Sequence, residues 1–302
     1  MALFYLFIFP GFLFTALAGM LASWVDRKVT ARLQWRVGPP WYQPFADFVK
    51  LLGKETIVPQ QNQAQFLLAP FLGLSAATVV AAMSGVAMLN PRSGFPGDLI
   101  VILYFLTIPA LSLILGASAS ANPLASVGAS REMKLVLGYE LPFVLSILVP
   151  IIKSGGHLRL GEILNYQAAH GSFWFFPSGI LAFFAAILCM QAKLGYVPFD
   201  IAEAEQEIVA GAYVEYSGFP LAVFKLTRQM LLVSLPVLLI TLFWGHYLKP
   251  GWIILKYVFL LVIIILIKNT NPRLRIDQAV RLFWGPVTLL AALAVVLALL
   301  GN

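Results

Sequence analysis

Eight stretches of this 302-residue chain are long and apolar enough to cross a lipid bilayer, and this restricts the fold more than any other feature. They run at roughly 2–25, 66–88, 99–120, 135–152, 175–196, 219–244, 251–267 and 282–301. About 20 residues of helix cross a hydrocarbon core. Without water there, each backbone N–H and C=O must find its partner within the segment, which favours helices. The expectation is an all-α integral membrane protein: one polytopic domain over residues 1–302, with about eight transmembrane helices plus amphipathic surface helices. The composition agrees, since 11% of residues are charged against about a quarter in soluble domains. The first run has no basic segment before it and reads as a mature span, not a cleaved leader.

The basic residues set an orientation. Arg27, Lys28, Arg32, Arg36, Lys50, Lys54, Arg131, Lys134, Lys268, Arg273, Arg275 and Arg281 fall on one side of the spans, and Arg92, Lys153, Arg159 and Lys249 on the other, 12 against 4 of the 20 Lys and Arg. By the positive-inside bias the richer side is cytoplasmic. A multi-pass protein of the cell (inner or plasma) membrane follows, with both termini on the outer side. The same bias accounts for the net charge of +7, so no nucleic-acid partner is inferred. A single cysteine, Cys189, excludes an intrachain disulfide framework, and the separated His157, His170 and His246 lack metal-ligand spacing. No metal or cofactor is expected in this chain, and any redox centre belongs to a partner.

Two loops are long enough to carry structure. In the cytoplasmic loop 26–65, FADFVKLLGKE sets Phe45, Phe48, Val49, Leu51 and Leu52 at helical spacing against Asp47, Lys50 and Lys54, predicting an amphipathic surface helix. On the outer side, HLRLGEILNYQAAHG places Leu158, Leu160, Ile163 and Leu164 in a second, short one. No internal repeat is visible, which counts against a transporter built on inverted repeats.

The cytoplasmic-side loop 197–218, VPFDIAEAEQEIVAGAYVEYSG, carries Asp200, Glu203, Glu205, Glu207 and Glu215 among apolar residues, with no Lys or Arg between them. Read as a helix, Glu203 and Glu207 share a face one turn apart while Glu205 points the other way. Mutual repulsion and burial both disfavour the ionised form, so such groups can load and release protons. An exposed acidic loop is the plain alternative. Against it, the small residues Ala202, Ala204, Gly211 and Ala212 allow close packing among helices.

Other ionisable residues fall in or near spans. Glu140, in LVLGYELPFVL beside Pro142, marks a pathway by default. Lys225 and Arg228, three residues apart on the sixth span, share a face and are expected to pair with Glu207, Glu215 or Glu140. Lys193 and Lys256 are less informative, and Lys193, close to a span end, fits a snorkelling side chain. The basic loops interleave Asp26, Gln34, Trp35, Asp47, Glu55 and Asp277 with their cations, more than an orientation signal needs, and look built to bind a protein surface.

Taken in order, DRKVTARLQWRVGP, QPFADFVKLLGKE, ASREMKLVLGYELP, PFDIAEAEQEIVAGAYVEYSG and NPRLRIDQAVRLFW resemble the membrane subunit of respiratory complex I that roofs the quinone cavity, and its relatives in membrane-bound hydrogenases. The resemblance, to the NADH dehydrogenase subunit 1 family, spans nearly the whole chain. It implies an eight-helix subunit, without a catalytic centre or cofactor of its own, that joins a peripheral redox arm to antiporter-like membrane subunits. It also implies a proton or coupling route through Glu140, Asp200, Glu203, Glu205, Glu207 and Glu215, with Lys225 and Arg228 as candidate partners. Arg27, Arg36, Asp47, Lys50, Glu55, Arg273, Arg275 and Asp277 are read as docking residues for the peripheral arm.

After Gly38-Pro39 only Pro40, Trp41 and Tyr42 precede Gln43, where complex I members usually carry an additional run rich in Gly, Asn and Arg. The short form resembles the energy-converting, formate hydrogenlyase-like NiFe hydrogenase branch. Expected partners are then hydrogenase-like large and small redox subunits, fed by ferredoxin and holding the NiFe centre and iron–sulfur clusters, together with antiporter-like subunits and the lipid bilayer. Three alternatives stay open: a quinone-cavity subunit of complex I, a sulfur-reducing relative of the hydrogenase, and a stand-alone proton-coupled secondary transporter.

Overall fold

A computed structural model of the chain describes residues 2–246 and 249–301, apart from the side chains of Ala2, Glu205 and Gln206. In chain order the helices are α1 (Ala2–Phe7), α2 (Phe12–Leu33), α3 (Gln43–Leu52), α4 (Gln63–Leu89), α5 (Asp98–Ala119), α6 (Pro123–Lys153), α7 (Leu160–His170), α8 (Pro177–Lys193), α9 (Glu205–Ile208), α10 (Gly218–Phe243), α11 (Pro250–Thr270), α12 (Ile276–Leu282) and α13 (Thr288–Leu299). A π-helical segment, Phe283–Val287, joins the last two into one span. Among the described residues, seven helical stretches are long and apolar enough to cross a bilayer, and α8 is apolar but shorter at 17 residues. The spans alternate in direction, so the loops rich in Lys and Arg share one end of the bundle, called here the basic end.

Helix α10 forms the centre, with 83% of its apolar window buried. It packs against α2 and α4, and α11 lies alongside, while α6, α8 and α13 form a second group and α5 bridges α4 to α6. Small residues set the crossings: a Cβ on Gly19 of α2 would stand 2.3 Å from the Gln229 carbonyl oxygen of α10. Such close backbone approach is how helices gain packing energy in lipid, where no hydrophobic force drives them together. Amphipathic α3 lies at the basic end against α2 and α10, and α7 at the other end against α4 and α10. Both surface helices are where the apolar spacing puts them.

The structure departs from the sequence reading at three boundaries. The first run is not one helix, because Pro10 cannot donate a backbone hydrogen bond and the chain turns at Pro10-Gly11 between α1 and α2. The fourth span starts at Pro123, not 135, capped by the Asn122 side chain accepting from the Leu124 amide at 2.8 Å. The acidic segment is not a continuous helix. It is a loop holding the single-turn α9 and one 3-10 turn at Gly211–Tyr213.

Candidate functional site

The site is built around the end of α8. Gly195 adopts φ +61°, its amide bonding to the Ala192 carbonyl at 2.9 Å and that of Tyr196 to Gln191 at 3.3 Å. This is the Schellman pattern, in which a left-handed glycine stops a helix and recovers part of its orphaned carbonyls. The Leu194 carbonyl accepts from Arg228 Nε at 2.9 Å, and Gly195's from the same guanidinium. Arg228, ten residues into α10, thereby caps α8, and its Nη1 also reaches both Glu203 oxygens at 2.7 and 2.6 Å. At the last residue of α8, next to the cap, the Lys193 ammonium lies 2.5 Å from Glu140 Oε1 and over the rings of Tyr139 and Phe143 at 4.7 and 4.8 Å. Only 3% of its side chain is exposed. The snorkelling expectation for Lys193 is thus overturned, because its partner Glu140 lies inside the bundle.

A cavity of about 50 Å³ borders both ion pairs, touching Lys193 of one and Glu203 and Arg228 of the other, where about 10–15 Å³ of such space admits a water molecule. It lies where α5, α6, α8, α10 and the acidic loop meet, between the two packing groups of the bundle, and is lined by Glu132, Lys193, Glu203, Tyr213, Thr227 and Arg228 among others. A second cavity of about 330 Å³ is lined by Lys225, Tyr216 and again Glu203, Tyr213 and Arg228. The Glu203–Arg228 pair therefore stands between them. Sequence reasoning missed Glu132. The signal was present: Glu132 and Glu140 are two α-turns apart and so near one face of α6, but Glu132 lies outside the apolar run 135–152.

The acidic loop closes on α6 through small residues, as its composition predicts. The Ala212 amide donates to the Ala202 carbonyl at 3.3 Å, and a Cβ on Gly128 of α6 would come within 2.5 Å of the Ala212 nitrogen. The carboxylates then diverge. Glu203 turns inward to Arg228, whereas Glu207 pairs with Arg131 at 2.5 Å and is 58% exposed. Glu203 and Glu207 do not share a helix face, because α9 begins only at Glu205. Asp200 Oδ2 accepts from Arg273 at 2.8 Å, while its buried Oδ1 has no partner among the described residues. Glu215 accepts from the Asn122 side chain at 2.5 Å, fixing the start of α6. The Glu205 side chain lies outside the described residues. The pairings expected of Lys225 and Arg228 with Glu207, Glu215 or Glu140 are replaced: Arg228 takes Glu203, and Lys225 is exposed at the second cavity.

The model of the family described as NADH dehydrogenase matches residues 6–299. The chain belongs to the NADH dehydrogenase family. It is 35% identical to a subunit of the NADH-quinone oxidoreductase of Thermomicrobium roseum, over 93% of this chain and 91% of that one. Against NADH-quinone oxidoreductase subunit 8 of Thermus thermophilus the identity is 33%, over 90% and 79%. Among solved structures, a chain of the membrane-bound sulfane sulfur reductase, an archaeal respiratory membrane complex, superposes with a TM-score of 0.86 at 28% identity, covering 98% of both chains. With its apolar spans, this NADH dehydrogenase family member is a multi-pass membrane protein.

At the basic end of this family member, the residues read as docking groups divide. Arg27 and Asp47 pair at 2.8 Å, tying α3 to α2. Burial alone would raise the Asp47 pKa, but hydrogen bonds from Arg27 and Gln43 outweigh it and hold the carboxyl below its ordinary value. Arg273 is engaged by Asp200, and Arg275 stands 3.9 Å from Asp277. Glu55 is exposed, its carbonyl accepting from Ser217. The Arg36 and Lys50 side chains are exposed with no hydrogen-bonded or ionic partner among the described residues, and Arg36 follows Trp35, which is 96% exposed. Burial pushes the Tyr213 and Tyr216 phenols well above their ordinary range, so both stay protonated near neutral pH. A protonated phenol can donate: the Tyr216 hydroxyl reaches the Phe66 carbonyl at 3.1 Å, its ring stacked on Phe66.

Proposed function

We propose that this chain is the membrane coupling subunit of an ion-translocating oxidoreductase complex. Its basic end, on the cytoplasmic side, holds a ferredoxin-linked peripheral redox arm. Its seam of buried charge passes protons, or their electrostatic equivalent, toward antiporter-like membrane subunits. The chain itself carries out no redox step. The observation that carries the reading is the cluster at the α5/α6/α8/α10 seam: two carboxylates and two cations line a cavity able to hold water, a third carboxylate, Glu140, pairs with Lys193, and Arg228 stands ten residues into α10. Intramembrane ionisable groups are costly and persist where they serve a pathway. Glu140, Glu203 and Arg228 stand on this route, with Lys225 at its mouth and Glu215 holding Asn122 at the start of α6. Asp200, Glu205 and Glu207 belong to the loop that closes it.

Two readings of the redox arm follow. The short link between Gly38 and α3 favours the NiFe hydrogenase branch, while the fold likeness to the sulfane sulfur reductase chain favours a sulfur-reducing arm. Nickel analysis of the intact purified complex separates them. A stand-alone transporter would move substrate when the chain alone is placed in liposomes, and this proposal expects no such movement. The main test is Glu140→Gln and Glu203→Gln in the whole complex. Both keep side-chain shape and remove titration. Assembly and artificial-acceptor activity of the redox arm should stay normal, while ion transport falls by about 100-fold, the lower end of what a positioned proton-transfer group supplies. Wild-type transport in both variants would overturn the proposal.

A further inference from the structure

The inner cavity is lined by Glu132 of α6, Glu203 of the acidic loop, Lys193 of α8 and Arg228 of α10. Lys193 is also paired with Glu140 of α6, which does not line the cavity, and with that acid counted the cluster's charges do not balance. Two of the three carboxylates hold a cation, Glu203 through both oxygens to Arg228 and Glu140 through Oε1 to Lys193. The Glu132 carboxyl has no hydrogen-bonded or ionic partner among the described residues, and it lines the cavity. The remaining polar groups near it, Tyr139 of its own helix, Tyr213 of the loop and Thr227 of α10, are hydroxyls that carry no charge to offset it. With every acid ionised and both bases protonated the cluster would hold one surplus negative charge, and an unpaired charge removed from water is strongly disfavoured. One proton makes it neutral.

We propose that Glu132 is the proton-loading residue of this cluster, an inference that rests on the coupling role proposed above. The loaded proton resides on the Glu132 carboxyl, because the other two carboxylates each already hold a cation. Passing it on conserves charge: Glu132 loses a proton to water in the cavity, Glu140 gains one, and the Lys193 ammonium, still protonated, is released from Glu140 to face the new carboxylate. Glu132 and Glu140 lie eight residues apart, about 12 Å along α6. That is too far for a direct hop. Water in the cavity links Glu132 to Lys193, and the Lys193 ammonium passes one proton to Glu140 as it takes one from that water. Lys193 is thereby the positioning residue that decides which of the two acids holds the charge.

The test uses the intact complex with Glu132→Gln, Glu132→Asp and Glu140→Gln. In Glu132→Gln the two remaining acids balance the two cations, so the cluster is neutral without a proton. Ion transport should fall about 100-fold, and the pH dependence of what remains should flatten. In infrared difference spectra taken on turnover, a protonated-carboxyl band that shifts in heavy water should disappear in Glu132→Gln and return, displaced, in Glu132→Asp. A role in packing alone would leave that band unchanged in Glu132→Gln. If Glu132→Gln keeps the wild-type pH profile and band while Glu140→Gln stops transport, the loading role is overturned and the coupling route stands. If neither variant affects transport, both fail.

Discussion

Arg228 Nη1 lies within 2.7 Å of both carboxylate oxygens of Glu203, while its Nε holds the Leu194 carbonyl at the end of α8. One guanidinium thus fixes a helix end and a partly buried acid together. Removing it strands the partly buried Glu203, 27% exposed, and the unpaired charge costs up to about 3 kcal/mol, the low end of the value for a fully buried pair. Arg228→Met should lower the thermal midpoint of the purified complex sharply, and Arg228→Met/Glu203→Met should recover most of the loss. Arg228→Lys should recover less than the double variant, because an ammonium lacks the planar fork that serves carbonyls and carboxylate at once. Equal midpoints for the single and double variants would refute the pairing.

Gly128 and Gly138, both on α6, should behave in opposite ways when replaced by alanine. At Gly128 the new Cβ would meet backbone atoms of Ala212 and Ala202 at 2.5 and 3.0 Å, which cannot yield without moving the acidic loop. At Gly138 the nearest atom is 3.7 Å away, and alanine should stabilise the helix by up to about 1 kcal/mol. Hydrogen exchange over residues 200–216 is expected to speed up in Gly128→Ala and to stay unchanged in Gly138→Ala.

Much of this was legible in the sequence, and the misses have physical causes. The apolar spans, the two surface helices and the basic face follow from apolar length and charge placement, which need no partner residue to be read. The acidic segment showed its chemistry but not its shape. A helical spacing of Glu203 and Glu207 counts only if a helix joins them, and Ala204, non-helical at ψ 90° ahead of α9, separates them instead. Lys193 illustrates the deeper limit. A lysine near a span end looks the same in sequence whether it reaches for water or for a carboxylate on another helix, and only the register of α6 against α8 decides.

The Arg27–Asp47 pair sets a pH window for α3. The Asp47 carboxyl is held below its ordinary value of 3.8, so the unfolded tether takes up a proton before the folded one. The stabilisation is complete above the ordinary value and is lost as pH falls through the lower folded one. Both side chains are well exposed, so the effect is small and weakens with salt. Hydrogen exchange of α3 should rise in acid below about pH 4 in the wild type. In Asp47→Asn it should already be raised at neutral pH and insensitive to further acid.

Sidedness can be measured against a low background, since the only native thiol, Cys189, is fully buried. Cysteines placed at Trp41, 61% exposed, and at Asp277 should react with an impermeant reagent only from the cytoplasmic face. Labelling from outside intact cells would reverse the orientation. Charge reversal at Arg36, whose side chain lacks an internal partner, should release the peripheral arm at elevated salt without affecting the stability of this chain. The same change at Arg273 should also loosen Asp200 and the loop behind it.

The length of α6 places the charge cluster in the electric field of the membrane. Its 31 residues extend about 46 Å at 1.5 Å per residue, against about 30 Å of hydrocarbon. With the Lys153 end at one interface, the Pro123 end overshoots the other by about 16 Å, and Glu140, about 26 Å from that end, lies about 10 Å inside the core. A unit charge crossing the whole field is worth about 2.3 kcal/mol per 100 mV. A proton delivered to the Lys193–Glu140 pair from the basic end therefore crosses about a third of it, worth about 0.8 kcal/mol at that potential. The pair is a voltmeter as well as a relay, and a strongly energised membrane changes how often it is filled before any subunit has moved.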